Sequence, residues 1–368
     1  MVKDEEHVIV QTLEPCIKGG IKDFFIFDTG SSDKTIEKAQ ELFKKYGLSR
    51  AYIAQEPFID FEKSRNRALD LAKEKFPNAA FFLMPDAEWY LFNGKKLLEF
   101  CNQHAYDKDG YPYSYLIRLV NNRIDFYHNR LVRATLDSRF VGAVHEVIIP
   151  AARFKVPADI YFEFGSTKRG YEKSRQRWVR DCAILLKKHQ ENPNDSRTVF
   201  YLAQTYECLQ DFVQAYKYYL HRSTLKGWPE EDFMTLYRLA RVVEELARQK
   251  KEDFSWDDAH KIYLNAFSMR SNRIEPLIKI AKHYLDEDNM QMCFIYAMRA
   301  AQIPYPINDI LFVEKEDYDF TRYDILGRCA WYVGQYKIGE AAIQFALKSR
   351  PDMPHLKRNL AFYFLLLL

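Results

Sequence analysis

Residues 24–35, FFIFDTGSSDKT, decide the fold class of the first half of the chain. Four bulky apolar residues stop at an acid, Asp28, and small polar residues follow. The apolar run predicts a buried strand, and the polar residues predict a tight turn into a helix that Ser32 or Asp33 can cap. Because ligands of open α/β sheets bind beyond the carboxyl ends of strands, Asp28 lies where a site is expected.

The same pattern of strand and helix continues to about residue 165. Residues 33–46, DKTIEKAQELFKKY, have the apolar spacing of an amphipathic helix, and Gly19 and Gly20 are expected to end the helix before the first strand. The predicted strands are residues 24–27, 79–84, 113–120, 144–149 and 160–164. Alternating strands and helices indicate a layered α/β domain with a mainly parallel sheet, to which the later strands add antiparallel pairs.

Bulk composition excludes several classes of protein. The 368 residues are 48% hydrophobic and 29% charged, with a net charge of +3, which is typical of a soluble globular protein and argues against nucleic-acid or polybasic membrane binding. No apolar run of about eighteen residues is present, so no membrane span is expected. The start, MVKDEEHVIV, lacks the apolar core of a signal peptide. The apolar end, LAFYFLLLL, predicts a last core helix or a chain cut within an element.

The six cysteines are dispersed and form no CxxC pair. Structural zinc and a disulfide framework are therefore not expected. Reduced, buried thiols in a cytoplasmic protein are the prediction.

From about residue 166 the sequence changes to successive amphipathic helices with an internal repeat. A small residue in one helix precedes a small residue in the next by twelve positions: Ala203 and Ala215, Ala281 and Cys293, Gly327 and Gly339. A fourth copy, with Ala240 and Ala259, contains an insertion. Two helices can cross closely only where small side chains meet, and the pattern resembles the tetratricopeptide repeat. The alternative is a helical bundle without repeats.

Three familiar phosphate sites do not fit the loop after Asp28. A phosphatase of the strand-end type needs a second acid at position 30, where Gly30 stands. The Walker loop and the dinucleotide fingerprint are also absent. Two readings of Asp28 stay open: a carboxylate that binds a nucleotide, or a carboxylate that caps its own loop.

A second acidic strand end follows in FFLMPDAEWY, residues 81–90. Asp86 and Glu88 are two residues apart on extended chain, and their repulsion is relieved by a cation or by protonation. Oxygen ligands of this kind suit Mg²⁺ or Mn²⁺. Farther on, His145 and Glu146 are adjacent on a predicted strand, so their side chains should point to opposite faces unless a bulge intervenes.

Five segments in this order carry a resemblance: MVKDEE, DTGSSDKT, FEKSRNRAL, the D-A-E after a strand, and VGAVHE. Together they are similar to glycosyltransferase family two, of the GT-A fold, and to its members fused to tetratricopeptide repeats. The resemblance implies a GT-A domain over residues 1–165 and a helical repeat domain over residues 166–368.

The resemblance also implies roles for particular residues. Val2, Glu5, Asp28, Thr29, Arg65 and Asp86 would bind the nucleotide sugar. Asp86, Glu88 and His145 would hold Mn²⁺ or Mg²⁺. Apart from the resemblance, Glu146 is the candidate general base because it is acidic and adjoins His145. The family's strand before its first motif is missing here, so either the first wall of the pocket is short or the natural protein begins upstream. Asp4 stands where the family has Asn, and D-A-E stands for D-x-D.

Two functions are therefore expected. The first is inverting transfer of a sugar from a UDP-type donor to a peptide, protein or glycan acceptor that the repeats present, in a chain that can also dimerise. The second is a non-catalytic adaptor in which the repeats bind a protein and the α/β half is degenerate. Among the repeat's aromatic residues, Tyr201, Tyr206, Tyr216, Tyr218 and Tyr219, most are expected in the core or the groove wall.

Overall fold

The computed structural model describes residues 1–105, 113–121, 125–142, 144–152, 154–164 and 168–367. These residues form two compact units, Met1–Ser174 and Arg175–Leu368. The sequence analysis placed this division at residues 165 and 166. Among the described residues, no helix combines the length and the apolar content that a bilayer crossing requires.

The first unit contains alternating helices and strands, followed by a run of strands. The elements are α1 (Ile9–Lys18), β1 (Phe24–Asp28), α2 (Thr35–Lys45), β2 (Ala51–Gln55), α3 (Phe61–Lys75), β3 (Phe81–Leu83), β4 (Trp89–Phe92), α4 (Gly94–Gln103), β5 (Ser114–Val120), β6 (Asp125–Arg133), β7 (Arg139–Val141), β8 (Val147–Ile149), β9 (Phe154–Lys155) and β10 (Tyr161–Phe164). Helix α5 (Lys168–Glu191) follows.

In the ranges that the structure describes, the strands form three sheets. Strands β1 and β2 pair in parallel, and β7 and β8 form an antiparallel pair. The largest sheet has the order β3-β6-β5-β10-β4, with β9 paired to β5. Within it β10 and β9 run parallel to β5, whereas β3–β6, β6–β5 and β10–β4 are antiparallel. The expectation of a mainly parallel sheet was therefore wrong, because three of the five strand pairs in the largest sheet are antiparallel.

The predicted strands are present with shifted bounds. The prediction at residues 144–149 was too long, because β8 begins only at Val147 and the preceding residues form a loop. Helix α1 ends at Lys18, and Gly20 takes a positive φ of 99°, which glycine adopts at little cost. Helix α2 begins at Thr35, one residue later than a cap at Asp33 would give; Asp33 instead accepts from the Thr35 N–H.

The core of the first unit lies between α1, α2 and the largest sheet. Ile117 and Phe162 on neighbouring strands are fully buried, as is Ala39 on α2. Both faces of β5 are covered, which explains why SYLIRLV reads as a nearly continuous apolar run.

The second unit consists of helices in consecutive pairs. They are α6 (Ser196–Cys208) with α7 (Phe212–Ser223), α8 (Pro229–Arg248) with α9 (Trp256–Met269), α10 (Glu275–Asp286) with α11 (Met290–Ala301), and α12 (Arg322–Tyr332) with α13 (Tyr336–Ser349), followed by α14 (Pro354–Leu367). The second unit is thus a helical repeat, and the four pairs coincide with the four copies found in the sequence.

Small residues mark the contact within each pair, as the sequence predicted. Ala203 and Ala215 have no exposed surface, and neither do Ala281 and Cys293. At Gly327, a Cβ atom would overlap Ile343 of the partner helix. The close approach therefore depends on the absence of side-chain volume at these positions.

A long connection separates the third pair from the fourth. Residues 302–316 precede a π-helical turn, Asp317–Thr321. Arg273 is fully buried and donates to the carbonyl oxygens of Leu311 and Phe312 in this connection. Asp309 pairs with Arg270 at 2.6 Å, so buried charges fix the segment in place.

Candidate functional site

The N-terminal segment is bound to the loop that follows β1. Val2 forms a parallel bridge to Asp28, and the Thr29 N–H donates to the Val2 carbonyl oxygen. The Asp4 carboxylate accepts from the Ser32 N–H at 2.7 Å, and the Glu5 N–H donates to the Thr35 hydroxyl. Of the predicted nucleotide-binding residues, the structure therefore brings Val2, Glu5, Asp28 and Thr29 together.

Asp28 is fully buried, and its carboxylate holds its own loop. It accepts from the N–H groups of Gly30 and Ser31, from the Ser31 hydroxyl and from Gln55. With four donors on two oxygens, the carboxylate is saturated by protein groups. This arrangement matches the loop-cap reading of Asp28, and it leaves the backbone of Thr29 and Gly30 as the surface that a ligand would meet.

An open cleft lies beside this loop at the carboxyl ends of the parallel strands β1 and β2. It has a volume of about 520 Å³ and is lined by Lys3, Thr29, Gly30 and residues 55–58. A Cβ atom at Gly30 would point into open space. The position and size are those of small-ligand sites in α/β proteins.

The second predicted acid, Asp86, lies between two arginines. Its Oδ1 is 2.7 Å from Arg65 Nη2, and its Oδ2 is 2.9 Å from Arg130 Nη2. Arg130 also stacks on the Trp89 ring at 5.3 Å, and Arg65 stacks on the Phe140 ring at 5.3 Å. Asp86 is thus a bridging carboxylate whose two oxygens are each paired with a guanidinium.

The electrostatics of this cluster follow from burial and from the two cations. Burial alone would raise the pKa of Asp86, but Arg130 and Arg65 outweigh it and hold that pKa well below its usual range. Burial, together with the positive charge of Arg130, lowers the pKa of His128 to about 3, so this imidazole is neutral at pH 7. The cluster is therefore ionised at Asp86 and uncharged at His128.

One face of helix α3 joins the cluster to the β7–β8 hairpin. Glu62 accepts from the Gly142 N–H at 2.6 Å. The Asn66 amide accepts from the Phe140 N–H and donates to the Phe140 carbonyl oxygen. With Arg65 between them, these side chains share the i, i+3, i+4 face that the segment FEKSRNRAL forms once it is helical. This face of α3 is therefore bound to the β7–β8 hairpin.

His145 and Glu146 lie in the hairpin loop rather than on a strand. His145 has a positive φ of 51° and is exposed, while Val144 beside it is buried. Glu146 Oε1 lies 2.5 Å from Arg65 Nε. Glu146 is therefore paired with Arg65, the arginine that also pairs with Asp86.

The predicted metal ligands are not assembled into one group. Within the ranges that the structure describes, no set of three or more His, Cys, Asp or Glu side chains is placed to hold a metal ion. Asp86 is paired with two guanidiniums, and the Glu88 N–H donates to the Thr12 hydroxyl from a residue with φ of 69°. The residues as arranged do not fit a resident Mn²⁺ or Mg²⁺ ion held by protein ligands alone.

Sequence reasoning missed Arg130 as a member of the site. The register between β5 and β6 shifts between Tyr115 and Leu116, which pair with Leu131 and Asn129, so Arg130 is the extra residue of a β-bulge. A β-bulge changes the direction in which nearby side chains point, and no residue pattern in the sequence predicts the bulge at Arg130. The only signal is the polar run HNR inside a strand that otherwise reads as apolar.

In the second unit, the first helix of each pair forms the more covered layer. No residue of α6 is exposed, whereas second helices carry exposed apolar residues such as Val213, Ile295 and Phe345. Tyr201, Tyr218 and Tyr219 are buried, and Tyr206 and Tyr216 are half-buried, in agreement with the expectation of core and wall positions.

Half-buried cations line the first helices α8 and α10. We call Arg241, Lys279 and Lys282 the cationic face. Arg241 lies 3.3 Å from Glu207. Burial lowers the pKa of Lys279, Arg241 and Lys282 lower it further, and the nearby acids Glu314 and Asp317 oppose this shift. Among the described residues, no acid lies within ion-pair distance of Lys279.

Comparison with known proteins gives matches to solved helical repeat structures. No described protein family and no curated protein matches the chain. The C-terminal part of a TPR repeat-containing protein from Cytophaga hutchinsonii is 12% identical, with a TM-score of 0.41, over 53% of this chain and 69% of that one.

Two further structures are similar at the same level. YrrB, a TPR protein with an unusual peptide-binding site, is 13% identical, with a TM-score of 0.37, over 49% of this chain and 81% of its own. TTC0263, a thermophilic TPR protein in Thermus thermophilus, is 16% identical, with a TM-score of 0.33, over 52% of this chain and 93% of its own.

Proposed function

We propose that this protein is a helical-repeat scaffold that binds an extended acidic segment of a partner protein on the cationic face. The observation that carries the proposal is Lys279, a half-buried ammonium on α10 with a lowered pKa and with Arg241 and Lys282 beside it. A carboxylate brought to this position would add to the attraction of Glu314 and Asp317 and would form a charge-assisted hydrogen bond with Lys279.

Binding of a fluorescein-labelled hexaglutamate peptide, followed by fluorescence anisotropy, tests this proposal. Lys279→Ala should weaken binding at least about tenfold, because a hydrogen bond between charged groups is worth roughly 1.5–3 kcal/mol. The matched control is Lys261→Ala, an exposed lysine on the second helix α9, which should leave the affinity within about twofold. Equal weakening by both variants, or no binding by the unaltered protein, contradicts the proposal.

A second candidate is transfer of a sugar from a nucleotide-sugar donor, most simply a UDP-sugar, with the repeats presenting the acceptor. The cleft of about 520 Å³ at the carboxyl ends of β1 and β2 supports it, and the order of the five sequence segments supports it as well. Arg65 and Arg130, which pair with Asp86 in the structure, would supply guanidiniums for a diphosphate.

A divalent cation enters this second candidate only with help from the donor. Mg²⁺ is commonly held by one or two carboxylates together with substrate phosphates, so Glu88 and the diphosphate would share the ion between them. In that reading Glu146, now paired with Arg65, would have to leave its partner before it could accept a proton from the acceptor.

Release of UDP from UDP-sugars in the presence of Mn²⁺ or Mg²⁺ tests the second candidate. Glu88→Ala should abolish the release while the protein remains folded, and Glu74→Ala, at an exposed position on α3, should not change it. No release with any donor, together with no thermal shift from UDP and the metal, leaves the scaffold function alone.

A further inference from the structure

The long connection before the π-helical turn lies against the first helices that carry the cationic face. One carboxylate oxygen of the buried Glu230, on α8, accepts from the backbone N–H groups of residues 310–311 at 2.9 and 2.7 Å. The fully buried Arg273 donates to the carbonyl oxygens of residues 311–312, both at 3.2 Å. We call Glu230 and Arg273 the backbone clamp. Two buried side chains of opposite charge thus hold three successive residues by their backbone, in the way that an extended peptide ligand is held.

Beyond the backbone clamp, the connection places its side chains on α8. Phe312 has a positive φ of 48°, which phenylalanine adopts only where its surroundings hold it, and the Arg238 guanidinium lies over its ring at 5.2 Å. Two residues later, the Glu314 carboxylate accepts from the Tyr237 hydroxyl at 2.9 Å. Arg241 of the cationic face lies over the same Tyr237 ring at 5.8 Å. The connection therefore brings a carboxylate to the edge of the cationic face.

The cations of this face occupy repeated positions on the first helices. On α8 these positions hold Arg238 and Arg241. On α10 they hold Lys279 and Lys282, at the same distances in sequence from the small residue of the helix contact. The Phe312 ring covers Arg238, and the other three cations make up the cationic face. The connection therefore already occupies one member of a repeated set of cationic positions.

The acids of the connection and of the turn that follows it act on the cationic face through their charge. Burial lowers the pKa of Lys279, whereas Glu314 and Asp317 oppose this shift. An acid that attracts Lys279 without pairing with it also repels the carboxylate of a ligand that approaches the same ammonium. Glu314 is thus a favourable neighbour of the cations in the free protein and an unfavourable neighbour of an acidic ligand.

We propose that the connection is an internal ligand of the repeat unit and that Glu314 competes with the acidic partner segment for the cationic face. In the free protein, Glu314 keeps its hydrogen bond to Tyr237. A bound partner carboxylate displaces Glu314 toward solvent, while the backbone clamp stays closed because both of its side chains are buried. The inference rests on the proposed scaffold function and adds an autoinhibitory contact that holds its affinity down.

Anisotropy of the labelled hexaglutamate peptide with the full chain tests this competition. Glu314→Gln should tighten binding roughly three- to tenfold at low salt, because one like charge is removed from a partly solvated site, and the gain should shrink as salt is added. Glutamine keeps an oxygen that accepts from Tyr237, so the fold is preserved. The matched control is Glu316→Gln, in the same segment, whose carboxylate pairs with Arg350 at 2.6 Å. It should leave the affinity within about twofold, because that guanidinium already balances its charge.

A second measurement needs no ligand and separates this inference from the proposed function. The pKa of Lys279 is measured by competitive acetylation with acetic anhydride over a range of pH, followed by mass spectrometry. In Glu314→Gln this pKa should be lower than in the unaltered protein, because an attracting charge is gone. In Glu316→Gln it should not change.

The outcomes are distinct for the two proposals. If Glu314→Gln and Glu316→Gln change the affinity and the pKa of Lys279 equally, the position of Glu314 has no special effect and the inference is wrong. If hexaglutamate binds the unaltered protein and Glu314→Gln binds it no more tightly, the competition is absent and the scaffold function stands without it. No binding by the unaltered protein or by either variant overturns the scaffold function, and the autoinhibitory contact with it.

Discussion

A single carboxylate, Asp86, organises the charged cluster of the first unit. It is the shared acceptor for Arg65 on α3 and for Arg130 on the bulge of β6. Arg130 is 4% exposed, so removal of its acid would leave a buried cation without a full partner. The role that is visible in the structure is structural cross-linking of a helix and a strand.

Asp86→Asn should therefore lower the free energy of unfolding by about 1–2 kcal/mol at pH 7. A larger loss of unfolding free energy is not expected, because the Asp86 side chain is 35% exposed and solvent screens its charge. The folded-state pKa of Asp86 lies below its unfolded value of about 3.9, so this stabilisation is present above about pH 4 and is lost as pH falls further. Urea unfolding at pH 7 and pH 3 measures the difference.

The control for this prediction is Asp23→Asn. Asp23 pairs with Arg50 at 3.2 Å, and both side chains are exposed. Such a pair contributes little, so the control should change the free energy of unfolding by less than about 0.5 kcal/mol. If the unaltered protein and Asp86→Asn differ in free energy of unfolding by the same amount at pH 7 and at pH 3, the charge of Asp86 is not the source of the stabilisation.

Asp317, at the start of the π-helical turn, has the opposite behaviour. Burial and the negative charge of Glu314 together raise its pKa to about 7, and Oδ2 has no hydrogen-bond partner among the described residues. Because the folded-state pKa is above the unfolded one, ionisation of Asp317 costs stability, and this cost grows between about pH 4 and pH 7.

Asp317→Asn should therefore stabilise the protein at pH 8, by roughly 1–3 kcal/mol, and have little effect at pH 4. Thermal unfolding at the two pH values measures this effect. Asp319→Asn serves as the control, because that side chain is 46% exposed and pairs with Lys315. A destabilised Asp317→Asn variant at pH 8 would mean that the buried carboxylate is satisfied by groups that the described contacts do not include.

At the scale of the secondary-structure elements, the close packing of the helix pairs depends on the absence of side-chain volume at their contact surfaces. Gly327 on α12 is in van der Waals contact with Ile343 on α13, and Gly339 is covered by the ring of Tyr363 on α14. The Tyr363 hydroxyl also donates to the Gly327 carbonyl oxygen at 2.7 Å. These contacts set the distance between three successive helices.

Gly327→Ala should destabilise the repeat unit, although alanine favours helix. Overpacking costs about 1–3 kcal/mol, and the gain in helix propensity is at most about 1 kcal/mol, so a net loss is expected. Chemical denaturation followed by far-ultraviolet circular dichroism measures it. Ser268→Ala, at an exposed helical position on α9, should be neutral or slightly stabilising. A Gly327→Ala variant that is as stable as the unaltered protein would show that α12 and α13 can move apart without cost.

The sequence predicted those features of the elements that depend on local patterns. The twelve-residue spacing of small residues, with one copy carrying an insertion, identified all four helix pairs, because a close helix crossing leaves its mark at fixed positions. Strand β1 was recognised from FFIF, since a buried parallel strand is apolar throughout. Strands β2 and β6 were not predicted. Strand β2, AYIAQ, is short and half-exposed, and the polar residues of β6, DFYHNRLVR, interrupt the apolar pattern of a strand.

The candidate site was predictable only in part for a related reason. The acids at the ends of β1 and β3 were found because strand ends are visible in the sequence. The arginine partner of Asp86 on β6 was not found, because Arg130 is 44 residues from Asp86 and lies at a β-bulge. The saturation of Asp28 by its own loop depends on backbone geometry at Gly30 and Ser31, which residue types alone do not fix.

On the scale of the whole molecule, each unit has a hydrophobic core of its own. Ile117 on β5 lies in the first and Ile278 on α10 in the second, and neither has exposed surface. Units with separate cores unfold as separate cooperative blocks unless other contacts couple them.

Ile117→Ala and Ile278→Ala should each cost about 2–5 kcal/mol, and each should reduce amide protection mainly within its own unit. Native-state hydrogen exchange with peptide resolution distinguishes the two blocks. Each variant is the control for the other, since the two substitutions delete the same atoms. Equal loss of protection in both units by either variant would show a single cooperative block.

The connection of residues 302–316 has a consequence for engineering of this array. Arg273, just before α10, donates to backbone carbonyls of this connection, and Glu230 on α8 accepts from its backbone N–H groups. A duplicated helix pair therefore cannot be inserted between α8 and the connection. The inserted helices would separate Arg273 and Glu230 from the backbone groups that they bond. Growth of the array is expected to succeed only beyond this connection, where the bonds of Arg273 and Glu230 are not interrupted.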